Sequence, residues 1–178
     1  MKLLWLDLET TGLDPVRDTI LEVAISVADL LTPFEATPLY HAVLCYPLHR
    51  APYLLPVVRE MHTRNGLLAD CAASKLRRFE AEEQIVRLLD RIENKPDLPA
   101  LAGSSVHFDA SFLRQLMPLV AARVSHRHYD VSTLKLVARS MGMPILPKGE
   151  AHRARPDVDE SIAHGRLCVD WLAGVRDR

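Results

Sequence analysis

The sequence predicts an α/β fold with one mixed central sheet, an antiparallel meander plus parallel strands, flanked by helices. Three observations predict it. Alternating apolar residues mark closely spaced strands up to Cys45. After them the apolar period lengthens to about 3.6 residues. Helical and strand-like segments then take turns, which sets parallel strands beside the meander. The length of 178 residues suits a single domain over 1–178, with no repeat, linker or low-complexity segment.

The elements follow in order. Residues 2–9 are a short apolar run closed by Thr-Thr-Gly, a buried strand entering a turn. Residues 19–28 set Leu21, Val23, Ile25 and Val27 on one face, a strand pattern. A third strand is predicted at 38–45, where Leu39, His41, Val43 and Cys45 alternate with other residues. A helix is predicted at 76–92, from Phe79, Ile85, Leu88, Leu89 and Ile92, then a turn at 95–99 and a short strand reaching Gly103. Residues 104–119 read as a helix that Pro118 helps to end. Asp130 or Ser132 can cap a helix running to Met141. Residues 144–149 form a loop, and Pro156 opens a last helix reaching about Ala173.

Composition excludes several classes. The apolar run at 3–8 is broken by Asp7 and followed by Glu9, so nothing approaches a membrane span, and the N-terminus has no signal pattern. Cys45, Cys71 and Cys168 are scattered and odd in number, which argues for reduced thiols in the cytoplasm and against a zinc or disulfide framework. A net charge of −1 favours a short nucleic-acid substrate over a long one, whose many phosphates need clustered cations.

The acids carry the chemistry. Asp7 and Glu9 lie two residues apart on a strand, so both carboxylates point to one face. An unpaired charge buried there costs several kcal/mol, or about that much drives proton uptake, and a bound divalent cation relieves it. Asp109 shares a helix face with Val106, Phe112, Leu113 and Leu116, which turns a carboxylate toward the core; an N-terminal dipole role is the plainer reading. Asp157, just after Pro156, admits the same plain reading, while Asp159 points elsewhere. His152 precedes that helix in a loop, and an ordinary imidazole pKa of about 6.5 suits proton transfer. Four carboxylates and one histidine match the needs of two-metal phosphodiester hydrolysis with Mg²⁺ or Mn²⁺.

The segment WLDLETTGLDPVRDTILEVAISVAD at 5–29 resembles the first motif of the DEDDh exonucleases, within the RNase H-like superfamily. HTRNGLL at 62–68, the segment around Asp109, YDVSTLKLVAR at 129–139 and HRARPDVDES at 152–161 continue the series in order. They are most similar to the oligoribonuclease branch. The resemblance implies an RNase H-like exonuclease fold and 3′→5′ hydrolysis of very short RNA by a homodimer. It implies Asp7, Glu9, Asp109 and Asp157 as metal ligands and His152 as general base. It further implies a cap for the substrate 5′ phosphate from Ser105, Arg127, Ser132 and Thr133. Leu13 matches an apolar wedge against the terminal bases, and Thr10 and His62 match positions beside the scissile end. A guanidinium such as that of Arg127 makes forked, charge-assisted contacts to phosphate, whereas Ser132 and Thr133 could simply cap their helix.

The chain departs from the pattern twice. Val57 stands where the branch carries a tryptophan that stacks on a base, an interaction worth roughly 1–3 kcal/mol. His126 stands where the branch carries a tyrosine offered across the dimer. The loop at 146–154 is closer to proofreading and RNase T-like relatives. One rival reading is a single-stranded DNA or RNA exonuclease of the same class with broader length tolerance. Another is a catalytically silent nucleic-acid-binding dimer, against which all five catalytic positions are filled.

Overall fold

Strand β1, Lys2–Thr10, lies at the centre of the sheet, and its apolar run reflects cover on both faces. The computed structural model describes residues 1–92, 97–147, 149 and 151–175. β1 pairs antiparallel with β2 (Ile20–Asp29) and parallel with β4 (Ala100–Gly103). β3 (Thr32–Val43) lies outside β2, and β5 (His128–Asp130) outside β4. The five-stranded sheet is mixed, with order β3-β2-β1-β4-β5, as the sequence predicts.

Helices α3 (Arg78–Ile92), α4 (Val106–Leu116) and α5 (Pro118–Ala121) cover one face, where Ile85, Leu89, Phe112 and Leu113 pack on Leu4, Leu6 and Leu8. The other face carries α6 (Val131–Ser140) and α7 (Ala154–Val175), with Val131 and Val158 against Leu3 and Trp5. Trp5 is fully buried and donates its indole N–H to the Pro33 carbonyl at 2.8 Å. Its ring meets Tyr129 and Phe34 at centroid distances of 5.7 and 6.2 Å. α7 crosses this cluster at Gly165, where a Cβ would stand 3.0 Å from Phe34 and 3.3 Å from Trp5.

Several boundaries differ from expectation. The third strand begins at Thr32 rather than 38; it tolerates Pro33 and Pro38 because it is an edge strand, with a register shift beside Pro38. The helix expected to run to 119 stops at Leu116, and Pro118 opens α5 instead of merely ending α4. A residue before proline is pushed out of helical geometry, and Met117 sits at φ −132°. α7 starts two residues before Pro156, which still falls in the first turn, where its missing N–H leaves no bond unmade. Asp130, not Ser132, caps α6, accepting from the N–H groups of Ser132 and Thr133. β5, a 3-10 helix at Leu48–Tyr53, α1 (Pro56–Arg64) and α2 (Leu67–Ala73) carried no clear periodic signal. Residues 95 and 96 of the expected turn, and residues 148 and 150 in the loop before α7, lie outside the described residues.

Replacing Trp5 by alanine should lower the free energy of unfolding by about 3–5 kcal/mol in urea titration, the usual cost of emptying so large a site. A loss below about 1 kcal/mol would show that Trp5 does not anchor this face.

Candidate active site

The C-terminal end of β1 splits its two faces between fold and chemistry. Leu4, Leu6 and Leu8 enter the core, while the alternate side carries Leu3 and Trp5, then Asp7 and Glu9. A register shift between β1 and β2 falls at Glu9/Thr10, where the strand leaves the sheet. The turn that follows is stitched by Asp18, which accepts from the Thr11 hydroxyl at 3.0 Å and the Asp14 N–H at 2.9 Å. Asp18 packs so closely on Gly12 that a Cβ would collide with its carboxylate. This turn holds Leu13 at the cleft edge, 80% exposed.

Asp157 on α7 joins the pair from β1: carboxylate oxygens of Asp7, Glu9 and Asp157 all lie within 4.8 Å of one another. Asp109 arrives from the other side of the sheet on α4. It is 4% exposed, and its Oδ1 accepts the Leu8 N–H at 3.0 Å. It stands outside the close trio, yet lines the same cleft. That cleft, about 310 Å³, is bounded by Asp7, Glu9, Thr10, Leu13, Asp109, Asp157 and His152. A second hollow of about 310 Å³ continues from Asp7 and Asp157 past Ser105 and Ser132 to Lys135.

Electrostatics mark the cleft as a place for cations. Burial, then the carboxylates of Asp7, Asp157 and Glu22, pushes Glu9 from its ordinary 4.5 up to about 8. Burial, with Asp7 next, also raises Asp109 well above the usual carboxylate range. Hard, oxygen-preferring divalent ions fit such a donor set, since they would supply the charge the trio lacks.

The remaining expected residues separate into two groups. Ser105 and Ser132 meet through their hydroxyls at 2.9 Å, and the Ser105 N–H donates to Asp130 Oδ1 at 3.2 Å. Ser105 adopts a left-handed φ of 55°. Thr133 is exposed one residue further on and lines neither hollow. Arg127 and His126 lie at the start of β5, opposite the end that reaches Ser105 and Ser132. His126 lines a separate hollow with Arg114 and His128.

Val57 and His62 stand apart from the lining of the cleft. Val57 is 69% exposed and does not line the cleft; Val58 and Met61, one helical turn apart on α1, do. His62 is fully buried beside the acids. Its Nε2 donates to the Thr10 carbonyl at 3.0 Å, lies 3.9 Å from Glu9, and burial holds its pKa low. Asp18, Lys135 and Phe108 were not singled out from sequence; Lys135, one turn after Ser132, could have been found by helical spacing.

A mixed sheet with acids at the end of its central strand, facing acids from two helices and a loop histidine, defines a phosphodiester-cleaving nuclease. The model of the RNase T exonuclease family matches residues 4–164. The oligoribonuclease of Haemophilus ducreyi is 40% identical over 167 residues, covering 90% of this chain and 88% of that protein. The probable oligoribonuclease of Dictyostelium discoideum is 36% identical, covering 90% and 85%. E. coli exonuclease I in complex with a dT13 oligonucleotide superposes with a TM-score of 0.69 at 17% identity, over 99% of this chain and 42% of that one, a likeness of fold. The chain belongs to this exonuclease family and stands among its oligoribonucleases. The family is divalent-metal dependent, in keeping with the acidic trio.

The raised pKa of Glu9 has a testable sign. A carboxyl whose folded pKa exceeds its unfolded value stabilises the fold below the unfolded pKa, and that contribution is lost as pH rises through the folded one. The cation-free protein should therefore lose thermal stability between pH 4.5 and about 8. Added Mn²⁺ should restore it, more strongly at the upper end of that window. A melting temperature indifferent to Mn²⁺ across that window would contradict a cation site here.

Proposed function

We propose that this single-domain chain is a 3′→5′ exoribonuclease that trims RNA of two to a few nucleotides to mononucleotides. The observation that carries the reading is the convergence of Asp7, Glu9, Asp109, Asp157 and His152 on one cleft. Asp7, Glu9, Asp109 and Asp157 would hold two divalent cations, Mg²⁺ or Mn²⁺. When bound, these cations neutralise phosphoryl charge and lower the pKa of a bound water. His152 accepts the proton of the attacking water. The water oxygen bonds to phosphorus, the bond to the O3′ of the penultimate nucleotide breaks, O3′ takes a proton from solvent to become the hydroxyl of the shortened strand, and a nucleoside 5′-monophosphate leaves. Leu13, Val58 and Met61 give the terminal base an apolar wall, and Thr10 lies at its foot.

Ser105 and Ser132, beyond the acids, suit the substrate's 5′ end. Arg127 and His126 immediately precede β5, and His126 occupies the position from which the family offers a residue across a dimer. That placement supports a homodimer. Cytoplasmic residence fits the free cysteines: burial pushes the Cys71 thiol up to about 12, which keeps it protonated and inert. No helix among the described residues is long and apolar enough to cross a membrane.

A second reading, a broader-length exonuclease on single-stranded RNA or DNA, is favoured by the hollow's continuation past Ser132 to Lys135, Glu160 and Ser161. Digestion of 5′-labelled RNA of graded length separates the two. Dinucleotides should disappear at least about tenfold faster than twenty-residue oligomers, and similar rates would establish the second reading. Asp109→Ala and His152→Ala should each abolish hydrolysis while retaining the fold, and EDTA should stop the native enzyme. Full turnover in either variant would overturn the site assignment.

A further inference from the structure

We infer that Asn65, Glu22 and Arg153 are positioning residues that hold His152 in the cleft through the backbone on either side of it. This rests on the proposed role of His152 but concerns residues outside the cleft. His152 has φ 43°, a left-handed conformation that residues with a side chain adopt only under constraint. The constraint is visible at each neighbouring peptide. The Asn65 amide donates to the carbonyls of both Ala151 and His152. The next side chain, Arg153, forks onto both oxygens of Glu22, at 3.0 Å each. Its remaining reach goes to the Asn65 carbonyl at 3.3 Å and to Asp70 at 2.9 Å. The N–H of Ala154 then donates to Glu22 Oε2 at 3.0 Å, fixing the start of α7.

Both holders are themselves fixed. Glu22 is 1% exposed on β2, directly opposite Glu9, and also accepts from His41 at 2.8 Å. Asn65 ends α1, accepts the Leu67 N–H at 3.1 Å, and precedes Gly66 at φ 79°. The same helix that presents Val58 and Met61 to the cleft therefore clamps the histidine loop at its C-terminal end. Asn65 and Glu22 between them bond to Ala151, His152, Arg153 and Ala154, and Asp70 adds a further contact to Arg153.

The test uses the full chain with Asn65→Ala, Arg153→Met and Arg153→Lys. It reads kcat and KM on dinucleotide RNA, Mn²⁺ affinity by calorimetry, and the His152 imidazole signal by NMR, assigned with His152→Ala. Asn65→Ala should lower kcat about 10- to 100-fold, the scale for a misplaced catalytic group. KM and Mn²⁺ affinity should stay within about threefold, and the imidazole signal should broaden or split. Arg153→Lys should recover part of what Arg153→Met loses, because it keeps the charge but not the fork. A kcat within about twofold of the native enzyme in Asn65→Ala, or an unchanged imidazole signal, would overturn the proposal. So would equal losses in kcat and Mn²⁺ affinity, the mark of general damage. If Arg153→Met does not fold, Asn65→Ala alone decides, since Asn65 is only half-buried. An inactive native chain would refute the exonuclease reading alone, because the NMR arm needs no turnover.

Discussion

Strand β1 is hydrogen-bonded on both sides, antiparallel to β2 and parallel to β4, and that double commitment fixes everything near the cleft. A strand so held cannot slip by one residue without exchanging its faces. A slip would send Trp5 and the two acids into the α3–α4 core and bring Leu4, Leu6 and Leu8 out. The register of β1 is thus enforced by the apolar mismatch that any alternative creates, and the carboxylates inherit positions paid for by the leucines. Their repulsion is tolerated because the scaffold beneath them has no cheaper arrangement.

The acids reach the cleft from both sides of the sheet, which is why they can crowd without sharing one element. Asp7 and Glu9 rise from β1, Asp157 from the first turn of α7, and Asp109 from the first turn of α4 on the opposite layer. The backbone N–H of Leu8 ties Asp109 to the very strand whose acids raise its pKa. Proximity and electrostatic cost therefore have the same origin. A site built this way is poised to take up positive charge, whether as protons or as metal ions.

What could be read from the chain tracked how local the cause was. The apolar run of 2–9, the period-two pattern of 19–28 and the 3.6 pattern of α3 were legible because each depends on residues within one element. The four acids and the histidine that line the cleft were legible through motif spacing. The stacking side of α1 was not, since Val57, Val58 and Met61 look alike in sequence and only the helix's rotation against the cleft tells them apart. The burial of His62 was likewise not legible, since only tertiary packing sets it 3.9 Å from Glu9.

Ser105 and His152, at φ 55° and 43°, stand on opposite sides of the cleft in backbone geometry that glycine would occupy more comfortably. Each costs on the order of 1–2 kcal/mol relative to an ordinary conformation. The chain is therefore measurably less stable than its own fold would permit. Selection for stability alone would drift both positions toward glycine, erasing a hydroxyl on one rim and an imidazole on the other. Stability and the chemistry of the cleft lining therefore pull in opposite directions at these two residues.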